Sequence, residues 1–166
     1  MLYNLKPMLE IQKQLNQKIW QTQNISFDQT KTQSHLCILV ELMELCNETR
    51  CFNYWSKKRR SADEVILEEF ADVLCFLFSD LIFLNIENIN IDESIEQEDN
   101  LSITIRFSQL VNLYSSLDFK NETSYLTFAS AVFNLGYALG FNIDDIFAAY
   151  NKKVLKNHQV QDEFNN

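Results

Sequence analysis

Residues 69–84 read EFADVLCFLFSDLIFL, and this stretch decides the fold. Its apolar side chains occupy every side of a helix, and a helix that is apolar all round is generally buried. In a chain of 166 residues, such a helix can be buried at the centre of a bundle or across an oligomer interface. The stretch therefore favours an all-α bundle and gives a first indication of a dimer.

The composition supports the same fold class. Two glycines and one proline are too few for the tight turns of a β-sandwich or an α/β fold. Periodicity predicts one domain over residues 1–166, a bundle of about six helices whose four-helix core carries the functional site. The predicted helices cover 5–20, 34–55, 61–85, 101–117, 122–139 and 142–157, with exposed loops at 21–31 and 86–100. Ser34 is expected to cap the second helix, Ser61 and Glu64 to form a capping box on the third, and Gly140 to end the fifth.

Charge and cysteine content limit the function. A net charge of −9 argues against a nucleic-acid polymer as partner, although a divalent cation would still allow a single nucleotide. The four cysteines form no C-x-x-C pair and fit core positions in a reducing cytoplasm. No signal-peptide core and no stretch long enough to span a bilayer are recognisable, so we expect a soluble cytoplasmic protein. The cysteines are Cys37, Cys46, Cys51 and Cys75.

Two pairs of carboxylates interrupt apolar helices. Glu41 and Glu44 are three residues apart and therefore share a helical face, and Glu69 and Asp72 repeat this spacing on the next helix. Burying unpaired carboxylates costs several kcal/mol each, and neither Lys nor Arg occurs at positions 33–47 or 62–84. A Mg²⁺ ion, which prefers oxygen ligands and is often shared with phosphates, is the predicted partner of all four.

Two alternatives compete with this metal site. Solvated acidic faces are the preferred interpretation for Glu48, Glu64 and Glu68. A di-iron or zinc site is less well supported, because the di-iron pattern needs Glu-x-x-His and neither His35 nor His158 stands at such a position.

The string NETRCFNYWS at 47–56, with ELME at 41–44 and EEFAD at 68–72, resembles the dimeric, all-α dUTPase family. That family belongs to the all-α NTP pyrophosphatase group, which includes the MazG-type enzymes. Further similar segments are IQKQLN at 11–16 and AYNKK…NHQVQ at 149–161.

The resemblance implies a homodimer that hydrolyses dUTP to dUMP and pyrophosphate. The carboxylates would hold Mg²⁺ ions on the triphosphate, and one glutamate, Glu41 or Glu44, would position or deprotonate the attacking water. Metal-activated water needs no covalent nucleophile, and no Ser or Cys paired with His and no phosphate-binding glycine loop is recognisable.

The resemblance also implies nucleotide contacts. Gln12 and Asn16 would face the uracil, and Trp55 the uracil or deoxyribose, although the first two equally fit polar positions on a surface helix and Trp55 equally fits a core. Lys153 and Asn157, four residues apart, would contact phosphate and sugar. Lys57, in the basic run 57–60, would reach phosphates unless that run is simply a solvated turn.

Three positions depart from the family pattern. Asn53 stands where relatives commonly have Lys, Cys75 where many have His, and Val160 where Arg is usual. Each change removes a polar or cationic group near the expected substrate. Two alternatives therefore stay open: a related pyrophosphohydrolase with another base preference, such as dCTP, and a helical interaction module without turnover.

Overall fold

The computed structural model describes residues 1–163, and in that range it contains six α-helices and two three-residue strands. The elements are β1 (Leu2–Asn4), α1 (Lys6–Gln23), α2 (Phe27–Thr49), α3 (Asp63–Phe83), β2 (Asn88–Asn90), α4 (Asn100–Ser115), α5 (Glu122–Ala138) and α6 (Ile143–Glu163). The predicted all-α bundle is confirmed. The two strands pair antiparallel, with Tyr3 opposite Ile89.

The apolar helix α3 lies at the centre, packed against α1, α2 and α6. Its Phe78 is fully buried and makes an edge contact with Tyr150 of α6. Gly136 of α5 permits a close approach, because a Cβ there would lie 2.6 Å from Cδ1 of Ile146 and 3.1 Å from Cζ of Phe70. The apolar stretch 69–84 therefore forms the middle of the core.

Helix α2 is shifted towards the N-terminus relative to its predicted range, and the expected cap at Ser34 is wrong. Ser26 caps the helix instead: its hydroxyl accepts from the backbone N–H of Gln29, and the Gln29 side chain accepts from the N–H of Ser26. The polar composition of 21–31 concealed the end of α1 and the first turn of α2. The helix ends at Thr49, because Arg50 takes a left-handed conformation with φ of 56°.

Two other local predictions are wrong. Ser61 does not cap α3; its hydroxyl donates to the carboxylate of Glu48, and α3 begins without a side-chain cap. The segment 86–100 is not simply an exposed loop, because it contains β2 and buries Ile89 and Ile91. Gly140, with φ of 97°, ends α5 as predicted.

No single helix within residues 1–163 is long and apolar enough to cross a membrane. Helices α5 and α6 pass that criterion only as a pair, bent by 106° at their junction.

Candidate active site

Three of the four predicted carboxylates meet where α2 packs on α3. One oxygen each from Glu41, Glu69 and Asp72 lies within 4.8 Å of the others, and all three side chains are half-buried. The i, i+3 spacing on α3 aims Glu69 and Asp72 at α2, and Glu41 faces them from that helix. These three residues are called the acidic group below.

Glu44, the fourth predicted carboxylate, lies outside this group. Its side chain is exposed and lines an open groove along α2 together with Glu48 and Glu69. Its charge nevertheless raises the pKa of both Glu41 and Glu69, so it stands near enough to act on them. Glu44 therefore occupies the rim of the acidic group.

The electrostatics of the acidic group are unfavourable without a counter-charge. Burial raises the pKa of Glu41 to about 7, assisted by repulsion from Asp72, Glu44 and Glu69. Burial, followed by repulsion from Asp72, also raises the pKa of Glu69. The pKa of Asp72 is raised by burial, while Lys153 opposes the shift. Near neutral pH the group must bind a cation or retain protons.

The geometry suits a hard divalent cation. Octahedral coordination by oxygen at about 2.1 Å separates ligand atoms by roughly 3 to 4 Å, so oxygens within 4.8 Å need only small side-chain movements to share an ion. The donor set consists only of carboxylates, without imidazole or thiolate, which favours Mg²⁺ over zinc. The residues present therefore fit a Mg²⁺ site.

Helix α6 brings lysines that are distant from the acidic group in sequence. The ammonium of Lys153 lies 2.5 Å from Oδ2 of Asp72 and 3.5 Å from Oε1 of Glu68. Lys156 donates to the same Glu68 oxygen at 2.7 Å and lowers the pKa of that carboxyl. Glu68, interpreted from the sequence as a solvated acid, thus holds two lysines.

A buried chain of hydrogen bonds lies further along α3. The Tyr150 hydroxyl donates to Oε1 of Gln12 at 2.8 Å, and Nε2 of Gln12 donates to Oδ1 of Asn16 at 2.8 Å. Nδ2 of Asn16 donates to the hydroxyl of Ser79 at 3.0 Å, and that hydroxyl donates to the backbone carbonyl of Cys75 at 2.9 Å. Gln12 and Asn16 are only 2% and 8% exposed, so the surface-helix alternative is wrong.

The acidic group and this chain are joined on α3. Cys75 follows Asp72 by one turn and precedes Ser79 by another, so the three share a face. Burial raises the pKa of the Cys75 thiol to about 12, which keeps it protonated. The predicted contact residue Asn157 lies beside it, with Nδ2 4.0 Å from Sγ of Cys75. Lys153 and Asn157 therefore share one side of α6, facing this face of α3.

Trp55 and Lys57 lie elsewhere, in the segment between α2 and α3. Trp55 is 66% exposed and contacts the rings of Phe52 and Tyr54, so the core alternative for Trp55 is wrong. The side chain of Lys57 is exposed. Neither residue forms a hydrogen bond or an ion pair with the acidic group within residues 1–163. Their predicted substrate contacts stay predictions.

Sequence reasoning missed several residues of this region. Ser79 and Asp80 carried a signal that was not used, because polar residues inside a buried helix need partners. Tyr150 matched a family motif without an assigned role, and Lys156 carried no motif at all. Only the packing of α6 on α3 shows that Lys156 reaches Glu68.

Comparison with known proteins adds one finding. A family model described as dUTPase matches residues 4–164, nearly the whole chain. No curated protein matches the sequence.

Proposed function

The chain belongs to the dimeric, all-α dUTPase family, and from this premise we propose that it hydrolyses dUTP to dUMP and pyrophosphate with Mg²⁺. Membership of the family implies a nucleotide hydrolase, and its enzymes generally use a divalent metal. The observation that carries the proposal is the meeting of Glu41, Glu69 and Asp72 beside Lys153. We treat residues 1–166 as one catalytic domain, because the family match covers almost all of them.

In this proposal Glu41, Glu69, Asp72 and Glu44 would hold Mg²⁺. A bound ion would lower the pKa of a water molecule and neutralise charge that develops on the phosphate oxygens. Glu41 or Glu44 accepts the proton of the attacking water.

The nucleotide contacts follow the polar face of α3. Gln12 and Asn16 read the uracil edge, and their amides are held in place by Tyr150 and Ser79. Asn157 contacts the sugar and Lys153 the phosphates. Lys153 pairs with Asp72 in the free protein, and its ammonium would be available to the phosphates where Asp72 holds a cation. Trp55 and Lys57 would approach the base and the phosphates from the segment between α2 and α3.

The proposed oligomer is a homodimer formed through α2. Leu36, Val40 and Met43 recur at helical spacing on its outer face and are 57%, 45% and 37% exposed. An apolar stripe of this kind on a helix is typical of an interaction surface. A second copy fits, because a two-fold axis can pair the same stripe with itself.

A charge placed on the stripe tests the homodimer. We expect the wild type to have the mass of a dimer in light scattering and Leu36→Asp to be monomeric or markedly weakened. Leu155→Asp, at a 66% exposed apolar position of α6, is the control and should leave the mass unchanged. A monomeric wild type, or a dimeric Leu36→Asp protein, would contradict this interface.

The activity is tested with a panel of nucleotides in the presence and absence of Mg²⁺, with release of pyrophosphate as readout. Turnover of dUTP that requires the metal and exceeds that of dCTP and dTTP is the expected outcome. Preference for dCTP would identify the related pyrophosphohydrolase that the departures at Asn53, Cys75 and Val160 leave open. No turnover of any nucleotide would leave an interaction module. A cytoplasmic location stays a prediction from the sequence.

A further inference from the structure

A second cavity adjoins the acidic group on the side of α6. It has a volume of about 490 Å³ and lies between the first turns of α3 and the middle of α6. Helix α6 contributes Asp145, Lys152, Lys153 and Lys156 to its wall, and α3 contributes Glu64 and Glu68. Lys153 lines this cavity and also contacts the acidic group, through Asp72.

The two sides of the acidic group differ in charge. The groove on the α2 side is lined by Glu44, Glu48 and Glu69, with no Lys or Arg among its described lining residues. The cavity on the α6 side carries three lysines against three carboxylates, those of Glu64, Glu68 and Asp145, so its formal charges balance, whereas the carboxylates of the groove have no cation beside them among those lining residues. A triphosphate bears more negative charge than one lysine neutralises, so its phosphates are favoured on the α6 side.

The order of groups along α3 gives a direction. Ser79, in the proposed base-reading chain, is seven residues from Asp72, a separation of about 10 Å at 1.5 Å per residue. Glu68 lies four residues from Asp72 in the opposite direction, about 6 Å along the helix, and the ammonium of Lys156 reaches it from α6. A nucleotide that places its base near Ser79 and a phosphate at Asp72 therefore extends towards Lys156.

Lys156 is available for such a contact. Its ion pair with Glu68 is short at 2.7 Å, but the two side chains are 62% and 47% exposed. An ion pair with that exposure contributes little to stability, so releasing it costs little. A charge-assisted hydrogen bond to phosphate is stronger than the exposed pair it replaces.

We propose that Lys156 is a further phosphate-binding residue. On substrate binding Lys156 moves away from Glu68 and binds the terminal phosphates beside Lys153. After hydrolysis it binds the released pyrophosphate at the same place. This inference rests on the proposed dUTP hydrolysis. In the free protein Glu68 keeps both ammonium groups at the edge of the cavity. In the complex Lys156 lies with the phosphate groups furthest from the base.

The test measures the affinity of the full chain for inorganic pyrophosphate with Mg²⁺ by calorimetry, and the KM for dUTP. Lys156→Ala should weaken pyrophosphate binding about tenfold, the usual effect of one charge-assisted contact, and raise KM with kcat nearly unchanged. Lys156→Arg should retain most of the affinity. The matched control is Lys6→Ala, because Lys6 of α1 forms an ion pair with Glu87 that is about as exposed as the Lys156–Glu68 pair and does not line this cavity; it should change the affinity less than about twofold.

Glu68→Gln separates phosphate binding from an indirect effect. If Lys156 acts only by holding Glu68 in place, Glu68→Gln and Lys156→Ala will weaken binding alike. If Lys156 binds phosphate, Glu68→Gln will leave the affinity unchanged or increase it, since both lysines are released.

The outcomes distinguish the inference from the proposed function. A wild type that binds pyrophosphate but does not hydrolyse dUTP would refute the proposed function, while a loss of affinity in Lys156→Ala would still support the phosphate site. Active protein in which Lys156→Ala binds pyrophosphate as tightly as wild type would overturn the inference alone. Wild type that binds no pyrophosphate would overturn it as well.

Discussion

Helix α3 buries carboxylates at two places, and the groups that surround them differ. Asp72 is half-buried among like charges, with Lys153 as its cation. Asp80, two turns further on, is 3% exposed and stands apart from other acids. Its Oδ2 accepts from the hydroxyl of Tyr125 at 2.9 Å, and Nε2 of His35 lies 3.4 Å from Oδ1.

The difference shows that burial alone does not identify a metal ligand. Burial raises the pKa of Asp80 to about 7 although Tyr125 and Lys31 lower it, and burial followed by Lys31 lowers the pKa of His35. An isolated acid of this kind can retain its proton and serve as a neutral partner of a hydroxyl. A cluster of acids is better neutralised by a shared cation. The neighbours of a carboxylate, more than its depth, decide its role.

The largest expected effect is on catalysis. Glu69→Gln should lower dUTP turnover by at least about a hundredfold, because it removes a proposed metal ligand. Asp80→Asn is the matched control, because it also replaces a carboxylate by an amide of nearly the same shape. Its dUTP turnover should stay within a few-fold of wild type. Initial rates at saturating Mg²⁺ measure both. Equal losses of turnover in the two variants would contradict the functional difference between the acidic group and Asp80.

The second effect is on the free energy of unfolding, and it concerns Asp80 rather than the acidic group. The pKa of the Asp80 carboxyl is 3.8 in the unfolded chain and about 7 in the folded protein. Its contribution to the free energy of unfolding is therefore complete below the unfolded pKa and is lost as pH rises through the folded pKa. Relative to wild type, the free energy of unfolding of Asp80→Asn should therefore increase by on the order of 2 kcal/mol between pH 5 and pH 8. Urea unfolding without metal measures this gain. A constant difference between the two proteins would show that Asp80 does not titrate on folding.

The third effect is on metal affinity and its pH dependence. Protons compete with the ion for Glu41, whose pKa is about 7, so affinity should fall roughly tenfold from pH 8 to pH 6. Saturating Mg²⁺ should raise the Tm of wild type and of Asp80→Asn, but not that of Glu69→Gln. A thermal shift that persists in Glu69→Gln would remove the acidic group from the metal site.

The smallest expected effect separates the rim from the acidic group. Glu44→Gln should reduce turnover about tenfold, and Glu41→Gln by considerably more, because Glu41 lies within the group and Glu44 is exposed at its edge. Mg²⁺-dependent rates of the two variants measure the ratio. The reverse order would make Glu44 the principal ligand or base.

Much of this molecule was predictable from local patterns. The scarcity of Gly and Pro and the apolar 69–84 stretch indicated the helical bundle, because helices need neither residue internally and an all-apolar helix must be covered. The i, i+3 carboxylates indicated shared faces, because the spacing alone sets the direction of side chains on a helix. Gly140 was recognised as a helix end for the same local reason.

Other features were not predictable because they depend on which helices touch. The absence of Lys and Arg near the carboxylates in sequence suggested that a metal was the only counter-charge, yet α6 brings Lys153 to Asp72 from 81 positions away in the sequence. Glu44 shares a helical face with Glu41 by its spacing. Where α2 packs on α3, however, only Glu41 lies close enough to Glu69 and Asp72 to belong to the acidic group. Asp80 and Tyr125 are likewise joined only by packing.

The sequence by itself determined that acidic pairs occur on helices with a buried face, since helical periodicity is a property of neighbouring residues. Tertiary structure decided which three acids meet, which lysines accompany them, and that Asp80 stays apart. The physical reason is range. Backbone geometry places residues within a turn or two, whereas the energy of a carboxylate depends on every charge and dipole within several ångströms, whatever its position in the chain.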